Sequence, residues 1–534
     1  MWRLTVAILA VIWVDTVLVS AQSSVPGLYR LLELMGVRTA LPATEQDRPT
    51  VIIPRTWDDQ AVASLQVPLA VADASPVQIP STYYYGIPVR PIYKSYAVYH
   101  PGREPAGYVE WLKRQEPQIV FDATKVRTAA DWIAAGELVF DAPIAYGHIA
   151  GLGGDLYLRD PGWYTETGAS LARDGTLPFY RYVIREKGKI EIGLLSCGMC
   201  HTRVMPDGSV VKGAQGNLPL DRALAWDTKQ PSMTPENNLV GRRFERLLYA
   251  APWITPDPYP DLDRLSAREI GARHAAIPPG VMARHGTSPF APAKVPDLIG
   301  IRDRRYLDAT GLVRHRDIGD LMRYAALNQD ADVMARYRNF VPREAVPFIL
   351  GKAPADPAKV DSGRYSDEQL YALALYIYSL KPPQNPHPFD SLGARGQQVF
   401  ERERCGRCHT PPLYTSNQLT PALGFTPPAA DIEKYDVRNV SVGTDPALAM
   451  KTRRGTGYYK VPSLKGVWYR GPFEHNGSVS TLEDWFDPNR LREDYVPTAF
   501  KGFGVKTRAV KGHRFGLRLP ADDKKALIAF LKTL

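Results

Sequence analysis

Cys-x-x-Cys-His occurs twice, at Cys197-Gly198-Met199-Cys200-His201 and at Cys405-Gly406-Arg407-Cys408-His409, and the two runs use all four cysteines of the 534-residue chain. On one helical turn, cysteines at i and i+3 share a face and can both add to the vinyl groups of a haem, while a histidine at i+4 reaches the iron. The spacing predicts two covalently bound c-type haems, attached through Cys197, Cys200, Cys405 and Cys408, with His201 and His409 as proximal iron ligands. A structural zinc site, a redox cysteine pair and a disulfide framework are the competing readings, and neither a zinc nor a disulfide reading calls for a histidine directly after each pair.

Covalent haem attachment points outside the cytoplasm, and the first residues agree. Arg3 precedes an apolar run from Leu4 to Val19, broken by Asp15, and Val19-Ser20-Ala21 offers small residues suited to cleavage. Residues 1–21 read as a signal peptide, with an uncleaved anchor as the alternative. No later run is long and apolar enough to span a bilayer, so stable membrane insertion is not expected and the localisation is periplasmic or secreted. Removing residues 1–21 takes away Arg3 and Asp15 and leaves the net charge at +10. In an exported haem protein that charge suggests steering toward an acidic partner, or simply a solvated basic surface, rather than nucleic acid.

Comparison of the chain with itself gives the organisation. Gly136-Glu137-Leu138-Val139-Phe140 matches Gly396-Gln397-Gln398-Val399-Phe400. Lys294-Val295-Pro296-Asp297-Leu298-Ile299-Gly300-Ile301, with Arg304 and Gly311, matches Lys460-Val461-Pro462-Ser463-Leu464-Lys465-Gly466-Val467, with Arg470 and Gly477, without a gap. Ala372-Leu373 and Tyr376-Ile377 recur as Ala526-Leu527 and Phe530-Leu531, the apolar stripe of a closing helix, the first capped at Ser366. The expected fold is mainly α: two cytochrome c-like haem domains from an internal duplication, at 116–386 and 387–534. The first carries a large loop-rich insertion at 141–196. A Tyr/Pro-rich extension, 22–115, precedes them, and its tyrosines are read as packing rather than as an electron relay. Proline between Lys381 and Pro388 ends the first closing helix and sets the boundary.

The repeat distinguishes the two irons. The second half has His475 and His513, and no methionine after His475, which leaves Met450 as its methionine. His513, in the glycine-flanked loop Lys511-Gly512-His513-Arg514-Phe515-Gly516, is the favoured sixth ligand; His475 and Tyr495 stay open as alternatives. The positions of the first half matching His475 and His513 are Ala309 and Lys359. The haem held by His201 is therefore expected to have an open distal side and to be the catalytic one, with Arg304, Tyr306, His315 and Met322 as residues to look for beside it. Arg304 and Arg470 also suit haem propionates, Met322 suits a core, and His315 between Arg314 and Arg316 suits a surface.

The two haem motifs, Lys460-Val461-Pro462-Ser463-Leu464, Gly471-Pro472-Phe473-Glu474-His475-Asn476-Gly477-Ser478 and Gly512-His513-Arg514-Phe515-Gly516-Leu517 together resemble the bacterial di-haem cytochrome c peroxidase superfamily, over most of residues 100–534. The length, the wide spacing of the motifs and the histidine before the last helix are similar to the branch of latex-cleaving rubber oxygenases. The chain departs from the peroxidases in Phe473-Glu474-His475-Asn476-Gly477, where the family has phenylalanine-histidine-aspartate-glycine, and in lacking the downstream methionine ligand.

The resemblance implies a haem-dependent oxidoreductase. Electrons would pass through a six-coordinate haem at Cys405, Cys408, His409 and His513, and hydrogen peroxide or dioxygen would react at the haem of Cys197, Cys200 and His201. Some relatives also hold calcium between the domains. The expected partner is an electron-donor or acceptor protein or small molecule. Peroxidase-type chemistry is the first expectation, a dioxygenase cleaving an organic, isoprenoid-like substrate the second, and a non-enzymatic electron-transfer cytochrome the third.

Overall fold

The structure is a computed structural model and describes residues 51–71, 79–147, 157–230, 264–283, 290–329, 363–452 and 454–534. The proposed signal peptide and Lys359 lie outside these residues. All contacts below fall within one compact unit, Ile53–Leu534.

The elements that place the haem motifs are, in chain order, strand β1 (Ser95–Tyr99), helix α1 (Ala129–Asp141), strands β2 (Ala145–Tyr146), β3 (Thr176–Glu186) and β4 (Lys189–Leu194), and helices α2 (Asp367–Ser379), α3 (Ser391–Arg402) and α4 (Ala521–Lys532). Helix α1 begins in a capping box between Thr128 and Asp131, and α2 in one between Ser366 and Gln369. Each box satisfies amides that the first helical turn leaves without partners.

Helix α1 packs on α2, and α3 on α4. The two crossings are built alike. A Cβ placed on Gly136 would lie 2.0 Å from the carbonyl oxygen of Ala372, and one on Gly396 would lie 1.9 Å from that of Ala526. Only glycine allows backbones so close. Beside these contacts Phe140 meets Tyr376 with ring centroids 5.2 Å apart, and Phe400 meets Phe530 at 5.4 Å. Each crossing forms the core behind one haem motif: Cys197 is in the cluster of Phe140, Leu373 and Met322, and Cys405 packs on that of Phe400, Leu527 and Phe530.

The insertion departs from the expected loop-rich form. It holds β3 and β4 in an antiparallel sheet of order β1-β3-β4-β2. Thr176–Glu186 is rich in aromatic and β-branched residues, and Gly188, at φ +86°, makes the turn to β4. Such a run fits a half-buried strand. Tyr96 of the N-terminal extension lies opposite Tyr182 in this sheet, and Trp57 stacks on Tyr84 at 4.7 Å, so these tyrosines are packing residues. Four two-stranded ribbons accompany the sheet among the described residues, and helices therefore share the fold with β-structure.

The halves meet along a reciprocal seam. The amide of Lys294 donates to the carbonyl of His475 at 2.8 Å, and the amide of Lys460 donates to that of Ala309 at 3.1 Å. Val281 and Lys294 pair in one ribbon, Leu419 and Lys460 in another. Gly477 is closed against Val281, and Gly311 against Leu419.

Candidate haem sites

Each motif histidine is fixed by the repeated Lys-Val-Pro run. His201 Nδ1 lies 3.0 Å from the carbonyl oxygen of Pro296, and His409 Nδ1 lies 3.1 Å from that of Pro462 and 3.2 Å from that of Tyr414. A proton on Nδ1 donated to a carbonyl leaves Nε2 as the lone-pair nitrogen, the tautomer an iron ligand needs. The motifs start differently. Ser196 caps the turn Cys197–Cys200, whereas Cys405–Arg407 is a 3-10 turn entered through Arg404 at φ +58°.

In the second half His513 faces His409, with ring centroids 6.2 Å apart. A ring centre lies about 1 Å from its nitrogen and a metal–nitrogen bond is about 2 Å, so two imidazoles on opposite sides of one iron should be about 6 Å apart. The pair fits. Burial, with His513 opposite, pushes His409 down to about 4, and burial also lowers His513. Both rings are thus neutral near pH 7, as ligation requires.

The loop that presents His513 is strained and clamped. Gly512 has φ +93° and His513 itself φ +41°, a region that costs a non-glycine residue about 1 kcal/mol. Arg490, which has no exposed surface, holds it in place, donating to the carbonyls of Val510 (2.7 Å), Gly512 (3.0 Å) and His513 (2.9 Å). Trp485 packs on the imidazole at 5.3 Å.

The other expected ligands of this half are placed elsewhere. His475 stacks on Tyr459 at 4.7 Å and turns Nδ1 toward Glu474, 3.4 Å away. Met450 packs against the cluster of Ala422 and Leu448. The Tyr495 hydroxyl is buried without a hydrogen-bond partner.

In the first half the named residues serve the protein. His315 is held at both nitrogens, 2.7 Å from the Arg304 carbonyl and 2.7 Å from the Tyr378 hydroxyl. Tyr306 donates to the carbonyl of Tyr435, and Met322 is fully buried in the α1–α2 core. Arg304 donates to the carbonyls of Asp297 and Ile299, and Arg470 to that of Ser463, the residue matching Asp297.

Lys294, Lys460, Arg304 and Arg470 lie close enough along the seam to feel one another's charge. Burial, then Arg470, lowers Lys294 to about 8; burial and the neighbouring cations hold Lys460 well below the ordinary lysine range. Asp297, which accepts from Tyr469 at 3.0 Å and lies 3.8 Å from Arg470, is one acid set among them, and Glu474 is another near Lys294. So much positive charge out of water needs anions. The propionates of a c-type haem would be such anions, so the cluster suits a bound haem as the facing histidines suit an iron. Among the described residues no group of three or more His, Cys, Asp or Glu is arranged to hold a metal ion directly.

Sequence reasoning missed Arg490, Glu474 and the two proline carbonyls. The prolines carried a signal, since the Lys-Val-Pro run is repeated without change; a single buried arginine has none.

Residues 457–496 match the family model of RoxA-like, cytochrome c-like domains. The match spans Lys460–Leu464 and Gly471–Ser478, which bears out the RoxA-like resemblance. Two curated relatives come from Sinorhizobium fredii. The uncharacterized protein y4iJ is 31% identical over 21% of this chain and 25% of its own, and y4iM is 24% identical over 32% and 42%. The chain spans less than half the length of these relatives. Among solved structures, hydrazine synthase of Kuenenia stuttgartiensis has 16% identity over 58% of this chain and 91% of its own, with a TM-score of 0.28. A MauG-like protein associated with microbial copper homeostasis has 20% identity over 32% and 56%, with a TM-score of 0.20. Residues 457–496 are thus similar to RoxA-like, cytochrome c-like domains.

Proposed function

With a RoxA-like cytochrome c domain as the starting point, we propose that the chain is a di-haem c-type oxidoreductase of the peroxidase type. Cys405, Cys408, His409 and His513 would hold a six-coordinate electron-transfer haem. Cys197, Cys200 and His201 would hold the reactive one. The observation that carries this reading is the contrast between the histidines: His513 stands 6.2 Å from His409, whereas His315, the histidine singled out for the first half, spends both nitrogens on protein atoms. A c-type haem, when bound, supplies one-electron chemistry and, with its sixth position open, a place for peroxide or dioxygen.

The residues of the chain do the rest. The Pro296 and Pro462 carbonyls hold the proximal imidazoles in the ligating tautomer, Arg490 fixes the His513 loop, and the seam cations neutralise propionates. Reciprocal contacts across the seam and the matched crossings at Gly136 and Gly396 support an internal duplication, with halves at 116–386 and 387–534. Export of the mature chain after residues 1–21 accords with covalent haem; among the described residues no helix is long and apolar enough to cross a membrane.

The match to the RoxA-like model favours a second reading, dioxygenase cleavage of an isoprenoid-like substrate. Low-temperature spin resonance of the purified holoprotein, followed by peroxide turnover beside oxygen uptake, tests both. One high-spin and one low-spin ferric signal are expected. Two low-spin signals, with no response to cyanide or peroxide, would leave an electron-transfer cytochrome.

A further inference from the structure

Two adjoining cavities, of about 310 and 230 Å3, share Asp445, His475, Asn476 and Arg508 in their walls. The smaller is also lined by Gly443, Thr444, Val510 and Lys511, the backbone on either side of the His513 loop: the His513 amide donates to Val442, and Gly512 is closed against Thr444.

The larger cavity has a polar floor and an aromatic rim. At the floor stand Asp445, His475 and Asn476; Glu474, which lines the smaller cavity and is anchored by the Thr444 hydroxyl at 2.8 Å, lies 3.4 Å from Nδ1 of His475. His475 Nδ1 is buried on the carboxylate side without a hydrogen-bond partner, and Nε2 is on the opposite edge of a ring that lines the cavity. At the rim Phe290 and Phe503 are 37% and 42% exposed, and the Arg273 guanidinium lies 5.4 Å from one ring and 4.4 Å from the other. Lys501 and Arg508 add positive charge to the walls. A dry cavity of about 150 Å3 accommodates benzene. The larger cavity has room for one ring with its hydroxyls.

We propose that this cavity binds a small hydroxy-aromatic reductant of the hydroquinone or phenol class, its ring against Phe503 and Phe290 and one hydroxyl on His475 Nε2. Cationic walls favour an electron-rich ring, and the imidazole accepts the hydroxyl proton. Oxidation there breaks one O–H bond. The proton would go to Nε2 and the electron to the ferric haem that Cys405, Cys408, His409 and His513 would hold, leaving a neutral aryloxyl radical. A route runs along the chain: His475 packs on Tyr459 with centroids 4.7 Å apart, and three residues on, the Pro462 carbonyl lies 3.1 Å from His409 Nδ1. The electron's destination rests on reading His409 and His513 as ligands, but the binding site does not.

The test is calorimetric titration of oxidised holoprotein with 4-methylphenol, with spin resonance on the same samples. One saturable site is expected, weakened about tenfold in Phe503→Ala and in His475→Gln, a loss of about 1.4 kcal/mol each. Phe503 is at the surface, so its variant keeps the fold. No saturable binding at millimolar ligand, or equal binding by wild type and both variants while the low-spin signal persists, overturns the site. Normal binding by a wild-type protein that lacks the low-spin signal instead overturns the ligand reading and leaves the site standing.

Discussion

The imidazoles of His409 and His513 face each other at 6.2 Å, although one follows the second haem motif and the other precedes the last helix. His513→Ala should therefore abolish the low-spin ferric signal and leave the high-spin signal intact in spin resonance. His475→Ala should leave both, because its ring is stacked on Tyr459.

Arg490 satisfies three carbonyls of the strained ligand loop. Replacing it with leucine strands those oxygens, and we expect a loss of about 3 kcal/mol in denaturant unfolding. Arg490→Lys, which keeps charge but not the fork, should convert part of the low-spin haem to high-spin without unfolding the chain.

Gly396 admits the Ala526 carbonyl where a Cβ would stand 1.9 Å from it. Gly396→Ala should force α3 and α4 apart at about 2 kcal/mol or more, and Gly136→Ala should do the same to α1 and α2. Thermal unfolding of the two variants measures both.

The fold and the site were legible to different degrees. The two motifs, the glycine–phenylalanine runs and the Lys-Val-Pro runs each repeat, so their parallel placement could be read from residue identity. His513 could be picked out because flanking glycines license a left-handed turn. The sheet in the insertion was misjudged because β3 contains a proline and arginines among its apolar residues, and its partner β1 lies far away in the extension. Arg490 was invisible for a different reason: its role depends on where the Val510–His513 carbonyls point, which no local pattern encodes.

Asp227 is buried with one carboxylate oxygen unpartnered, and burial pushes it up to about 8. The unfolded chain ionises near pH 4 and the folded chain only near pH 8, so between these values the unfolded state holds fewer protons and stability falls as pH rises. Asp227→Asn should flatten that slope in unfolding curves taken from pH 4 to pH 8 and should be the more stable protein at pH 8.

Lys294, lowered to about 8, keeps a positive charge at pH 7 in the seam where haem propionates would lie. Removing one cation favours the more positive ferric state, so Lys294→Met should lower the midpoint potential of at least one haem, read by spectroelectrochemical titration.

The seam also bears on how two matched halves could come to differ. Each half lends the other a carbonyl through an equivalent position, Ala309 on one side and His475 on the other, as in a pair of identical subunits related by a twofold axis. In such a pair every substitution lands on both members at once. Joined in a single polypeptide, two such members would gain separate histories, and alanine opposite histidine at matched positions would be one trace of that independence.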